Sequence, residues 1–124
     1  MTGPGVRGDN GEEQSGKVLL LGSEGCGTGD RDLGFEVLVA LLDTLPERDD
    51  RPCAIIFWNT AAGLLAEDSP LVGRLKRLQE QGVDIVAGQA CASDLGLVGK
   101  IAVGRLADMG EILDLILQKQ VITL

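Results

Sequence analysis

A thiol that follows a short apolar run is the residue best placed for chemistry in this chain. Val83 to Ala87 is too short and too continuously apolar for anything but a buried strand; it follows Gly82, which closes a helical pattern, and it ends at Gly88. Cys91 comes next, just outside the core, and Ala92, Ser93 and Asp94 suit the first turn of a short helix. The free N–H groups and positive end of such a turn favour a thiolate, which is the nucleophilic form of cysteine. The same position also suits a cysteine packed as a small hydrophobe, and spacing alone leaves both readings open.

Composition narrows the chemistry. The 124 residues contain no histidine and no tyrosine, so a Ser-His-Asp triad, a Cys-His dyad and a histidine-ligated zinc site cannot be built. Thiolate chemistry survives, because a cysteine of depressed pKa attacks a disulfide or persulfide sulfur without a separate base. No metal and no cofactor is expected. Three cysteines without close spacing argue against a disulfide framework and fit a reducing, cytoplasmic compartment. The 19 acidic against 11 basic residues give a net charge of -8, which repels a phosphate backbone and makes nucleic acid an unfit partner. The longest apolar runs, Val37 to Leu42 and Cys53 to Trp58, fall well short of the ~20 residues of a membrane span, and the first residues lack a cationic-then-apolar signal pattern.

The elements that must hold Cys91 in place follow in order. Residues 1–16 hold five glycines and several charges with almost no large apolar side chain, which predicts a flexible tail ahead of a single domain over residues 17–124. Lys17 to Leu21 reads as a buried strand. Gly22 to Gly29 is a four-glycine loop carrying Cys26, and Thr28 or Asp30 is placed to cap the helix that follows. The loop lacks the lysine of a P-loop and the spacing of a dinucleotide fingerprint, and Glu24 has the wrong sign for phosphate. From Asp32 to Leu45 apolar residues recur at helical spacing, while Phe35 and Val39 widen the stripe beyond one contact, which points to a second subunit.

Cys53 to Trp58 is the second strand, with Cys53 as inert packing and Trp58 either packing or lining a site; Asn59 to Gly63 is its loop. Ser69-Pro70 opens a helix through Leu71, Leu75 and Leu78 that Gly82 closes. Beyond Cys91, Ile101 to Val103 reads as a strand, a helix starts near Asp108, and Val121 to Leu124 is a last strand. Five strands alternating with helices predict a three-layer α/β/α sandwich with a mainly parallel five-stranded sheet. Parallel strands bring the loops at Cys26, Asn59 and Cys91 to one rim, which is the expected site.

Several of these pieces together resemble the DsrE-like sulfur-relay family, and within it the C-terminal domain of YedF-type, sulfurtransferase-like selenium metabolism proteins. The resemblance covers most of the chain from Lys17 onward. It lies in Gly29-Asp30 followed by Asp32-Leu33-Gly34, in Phe57-Trp58-Asn59, in Leu78 with Glu80-Gln81-Gly82-Val83-Asp84-Ile85, in Gly96-Leu97, and in Ile101-Ala102-Val103-Gly104 with Met109. Cys91 falls on the family's cysteine. The first cysteine of the family's common Cys-Gly-x-Cys pattern is replaced by Gly88. The resemblance implies a DsrE-like fold, a homo-oligomer, and a cysteine that carries sulfur as a persulfide between donor and acceptor proteins, TusA-like carriers among them.

Two functional expectations follow. In the first, the chain is a cytoplasmic sulfur carrier or sulfurtransferase-like protein, with Cys91 as nucleophile. Gly88, Gln89 and Ala90 shape its loop and lend N–H groups, Asn59 and Thr60 hydrogen-bond the bound sulfur or acceptor, and Cys26 serves as a resolving thiol if the two loops bring their Cα atoms within ~7 Å. In the second, the chain is a noncatalytic oligomeric binding module with a small-ligand site at the strand-end rim.

Overall fold

Apolar runs of five or six residues, broken by glycine and charge, become the strands of one sheet. A computed structural model describes residues 15–124. The elements are β1 (Ser15–Leu21), α1 (Arg31–Thr44), β2 (Pro52–Phe57), α2 (Val72–Glu80), β3 (Asp84–Gly88), α3 (Gln89–Asp94), β4 (Arg105–Ala107), α4 (Met109–Gln118) and β5 (Gln120–Thr123), with short 3-10 turns at Leu45–Glu47 and Asn59–Leu65. All strand pairs are parallel and the order is β4-β3-β2-β1-β5. This is the α/β, five-stranded parallel architecture expected. The expected tail at residues 1–16 lies outside the described residues except for Ser15 and Gly16, which open β1, where Ser15 pairs with Pro52.

The two faces of the sheet bury alternate residues, as the two-residue period of a strand requires. Leu19, Leu21, Ile55, Phe57, Ile85 and Ala87 point to the larger core, with Leu38 and Leu42 of α1 and Leu75 and Leu78 of α2. Val18, Leu20, Ala54, Ile56 and Val86 point to the opposite core, where α4 supplies Ile112. Both faces are buried, so the strands read as continuous apolar runs.

Helix starts obey local chemistry. The Asp30 carboxylate caps α1 by accepting from Leu33 N–H at 2.8 Å, and Asp108 and Glu111 form a reciprocal capping box on α4. Ser69 behaves differently from expectation: its hydroxyl accepts from Leu71 N–H, and α2 begins only at Val72 without a side-chain cap.

Two boundaries are corrected. The run Ile101 to Val103 is not a strand; Ile101 makes an isolated antiparallel bridge to Ala66, and the paired strand begins at Arg105. Gly104 explains the shift. Its φ is +81° and a Cβ there would stand 2.6 Å from the Ile85 carbonyl oxygen, so the chain turns at this point and pairs only afterwards. Arg105 sits on an edge strand because its guanidinium makes two bonds to Asp84 and one to Glu111. The second correction concerns α3, which starts at Gln89, so Cys91 lies inside its first turn rather than ahead of it.

Candidate functional site

The carboxyl ends of β1, β2 and β3 carry the three loops expected on one rim. After β3, Gly88 is the N-cap of α3 in extended conformation (ψ 126°) and Cys91 is the third helical residue. Side chains in a helix lean toward its N-terminus, which sends the Cys91 thiol back over Gly88. A Cβ built on Gly88 would come within 3.3 Å of Cys91 Sγ and 3.7 Å of Trp58 Cβ. The bare backbone at residue 88 is what leaves room for the sulfur.

After β2, Asn59 has φ +54°, the one non-glycine residue with positive φ among those described. Asparagine tolerates this region better than most residues, and isolated backbone strain of this kind collects at functional positions. Here the strain has a visible result: Asn59 N–H donates to Cys91 Sγ at 3.1 Å. The donor aimed at the sulfur therefore comes from the β2 loop. Asn59 to Gly63 is also more ordered than a loop, being the start of a 3-10 turn.

Cys91 is half-buried, packed on one side against the larger core. Its other side opens into a depression of about 710 Å³ lined by Trp58, Asn59, Ala90, Asp94 and Leu95. Trp58 does both of the things its sequence allowed, packing against the second core and walling this depression. Asp94 and Leu95 carry no sequence signal as site residues; they enter because α3 presents them beside Cys91.

The other expected site residues divide. Asn59 meets Cys91 directly and Gly88 lies beneath it. Gln89 is exposed at the start of α3 and does not line the depression. Cys26 and Thr60 line a depression formed by the glycine loop, about 650 Å³, and Thr60 also lines a groove that shares Leu95 with the Cys91 depression. All three cysteines are free. Burial pushes the Cys26 thiol up from its ordinary value, which suits a protonated side chain. Cys53 lies at the opposite end of β2, its Sγ donating to the Lys17 carbonyl at 3.3 Å, and burial raises its thiol as well. That is packing, as expected.

The glycine loop has a structural explanation. A Cβ at Gly25 would stand 2.7 Å from the Gly34 carbonyl carbon, and Cys26 N–H donates to Gly34 O at 2.9 Å. Two glycines thus let the loop lie directly on the first turn of α1, whose N-terminal seat is already filled by Asp30. Glu24 pairs with Arg31 at 3.4 Å.

No family model matches the chain, and no curated protein matches it in sequence. Its fold does have solved relatives. The E. coli YchN protein superposes with a TM-score of 0.65 at 15% identity, covering 87% of this chain and 98% of that one. A conserved protein of unknown function from Bacteroides thetaiotaomicron gives 0.62 at 20% identity over 88% and 95% of the two chains. Another protein of unknown function, from Methanobacterium thermoautotrophicum, gives 0.64 at 13% identity over 87% and 97%. The shared architecture is the DsrE-like fold.

Proposed function

We propose that this chain is a sulfur carrier or sulfurtransferase-like protein in which Cys91 takes up a sulfane sulfur and passes it on. The observation that supports this reading is the Asn59 N–H held 3.1 Å from a sulfur that faces an open depression. A fixed donor of this kind favours negative charge on the atom it meets, here the sulfur of the attacking thiolate. In the first step the Cys91 thiolate attacks the outer sulfur of a donor persulfide. A new S–S bond forms at Cys91, the donor's own S–S bond breaks, and its electron pair leaves on the donor thiolate. In the second step an acceptor thiolate attacks the outer sulfur of the Cys91 persulfide and the Cys91 thiolate is released. Selenium can follow the same course. The exchange fits a reducing compartment and protein donors and acceptors, TusA-like carriers among them, and the likeness to YedF-type domains belongs to this same reading.

Intact mass after incubation with a persulfide donor tests it. A gain of one sulfur atom, labile to reductant and absent in Cys91→Ser, is expected; no gain, or an equal gain in the variant, overturns it.

A second reading, a noncatalytic oligomeric module, is favoured by one observation. Met109, Leu113 and Leu117 form an exposed stripe at four-residue spacing on α4, with Leu117 77% exposed. The two readings are compatible, since a sulfur carrier can also be a homo-oligomer.

A further inference from the structure

A second depression borders the one at Cys91. Leu95 lines both, and the neighbouring groove, about 410 Å³, has Leu64 and Leu97 among its apolar walls. Every ionisable group lining these two depressions is acidic, Glu24 and Asp68 in the groove and Asp94 beside Cys91. Glu24 is met by Arg31, whereas Asp68 and Asp94 form no ion pair among the described residues. Leu95, common to both depressions, is 42% exposed. Adjoining depressions with apolar walls, one of them at a thiol, and carboxylates without ion pairs at their borders repel small anionic sulfur donors and complement an apolar chain bearing positive charge.

We propose that this groove seats an extended, lysine- or arginine-bearing segment of the protein that exchanges sulfur with Cys91. The inference rests on the sulfur-carrier reading and names the chemistry of its partner. Leu95 and Leu97 give the segment a surface to cover, Asp68 and Asp94 hold its cations, and the segment's own sulfur arrives at the Cys91 end.

Five-residue peptides with a central cysteine, activated as the mixed disulfide with 2-thiopyridine, provide the probe. They differ only in flanking lysine, serine or glutamate. The Cys91 thiolate attacks the peptide sulfur, the peptide–thiopyridine bond breaks, and the electron pair leaves on pyridine-2-thiolate, which takes a proton to become the thione. The adduct on Cys91 of the full wild-type chain is quantified by proteolytic mapping.

At low ionic strength the lysine peptide is expected to react about 10-fold faster than the glutamate peptide, with the ratio collapsing in high salt. Asp68→Asn with Asp94→Asn lowers the ratio. Asp49→Asn with Asp114→Asn, the same change in net charge at distant exposed positions, leaves it unchanged. A ratio near one at low salt, or an equal drop in both double variants, overturns the proposal. Persulfide loading is measured separately: a chain that takes no sulfane sulfur yet keeps the local cationic preference loses the carrier reading alone, and the reverse pattern loses the groove alone.

Discussion

The backbone N–H of Asn59 and the sulfur of Cys91 stand 3.1 Å apart although 32 residues separate them in the chain. Neighbouring strands β2 and β3 create the contact: each ends at the same rim, and the left-handed turn at Asn59 swings its N–H toward the first turn of α3.

The backbone, not the amide side chain, supplies that donor. Asn59→Gly keeps both the positive φ and the N–H, so its Cys91 alkylation rate should stay within about 2-fold of wild type. Asn59→Ala removes the short polar side chain that makes the left-handed region tolerable and should lose about 1 kcal/mol in urea denaturation. A Gly variant that slows sharply would assign the effect to the side chain instead.

Gly88 lies where a second thiol can be installed. A Cβ at this position would be 3.8 Å from Cys91 Cβ, which is near the mean of ~3.8 Å for disulfides. Gly88→Cys should therefore form a bond to Cys91 under mild oxidation, seen as loss of two free thiols and protection of Cys91 from alkylation. Persistence of both thiols would show that the α3 turn does not hold this geometry.

Gly104 carries a heavier structural constraint. With φ at +81° and a Cβ position 2.6 Å from the Ile85 carbonyl oxygen, Gly104→Ala should cost at least about 2 kcal/mol, combining the left-handed penalty with displacement of the β3 backbone. The urea midpoint reports it. A variant as stable as wild type would mean that the β3–β4 approach is loose.

Alkaline pH should weaken the fold through two thiols. Burial raises Cys26 and Cys53 above their ordinary values, so the folded chain holds these protons more tightly than the unfolded one. Below the ordinary thiol range of about 8.5 both states are protonated and the contribution is complete; as pH rises past it the unfolded chain ionises first and stability falls. Urea midpoints between about pH 7 and pH 10 should decline, less steeply in Cys53→Ala. An unchanged slope in that variant would remove Cys53 from the account.

Strands were legible wherever both sheet faces are covered, because runs such as Leu19-Leu20-Leu21 and Ile55-Ile56-Phe57 have no polar alternative. β4 was obscured because its first residue is charged: Arg105 stands exposed on an edge strand, and its partners Asp84 and Glu111 are distant in sequence or on the next helix. The start of α3 was hidden for a related reason: Gly88 offers no side-chain cap to announce it. Cys91 stood out by its place after a strand. Its donor did not, since a positive φ at asparagine and a meeting between two loops exist only once the strands are paired.

That dependence on pairing also sets when the contact can form during synthesis. Until β2 and β3 align, Cys91 has no amide hydrogen trained on it. A nascent or misregistered molecule lacks this contact, so its presence reports that the two central strands have paired.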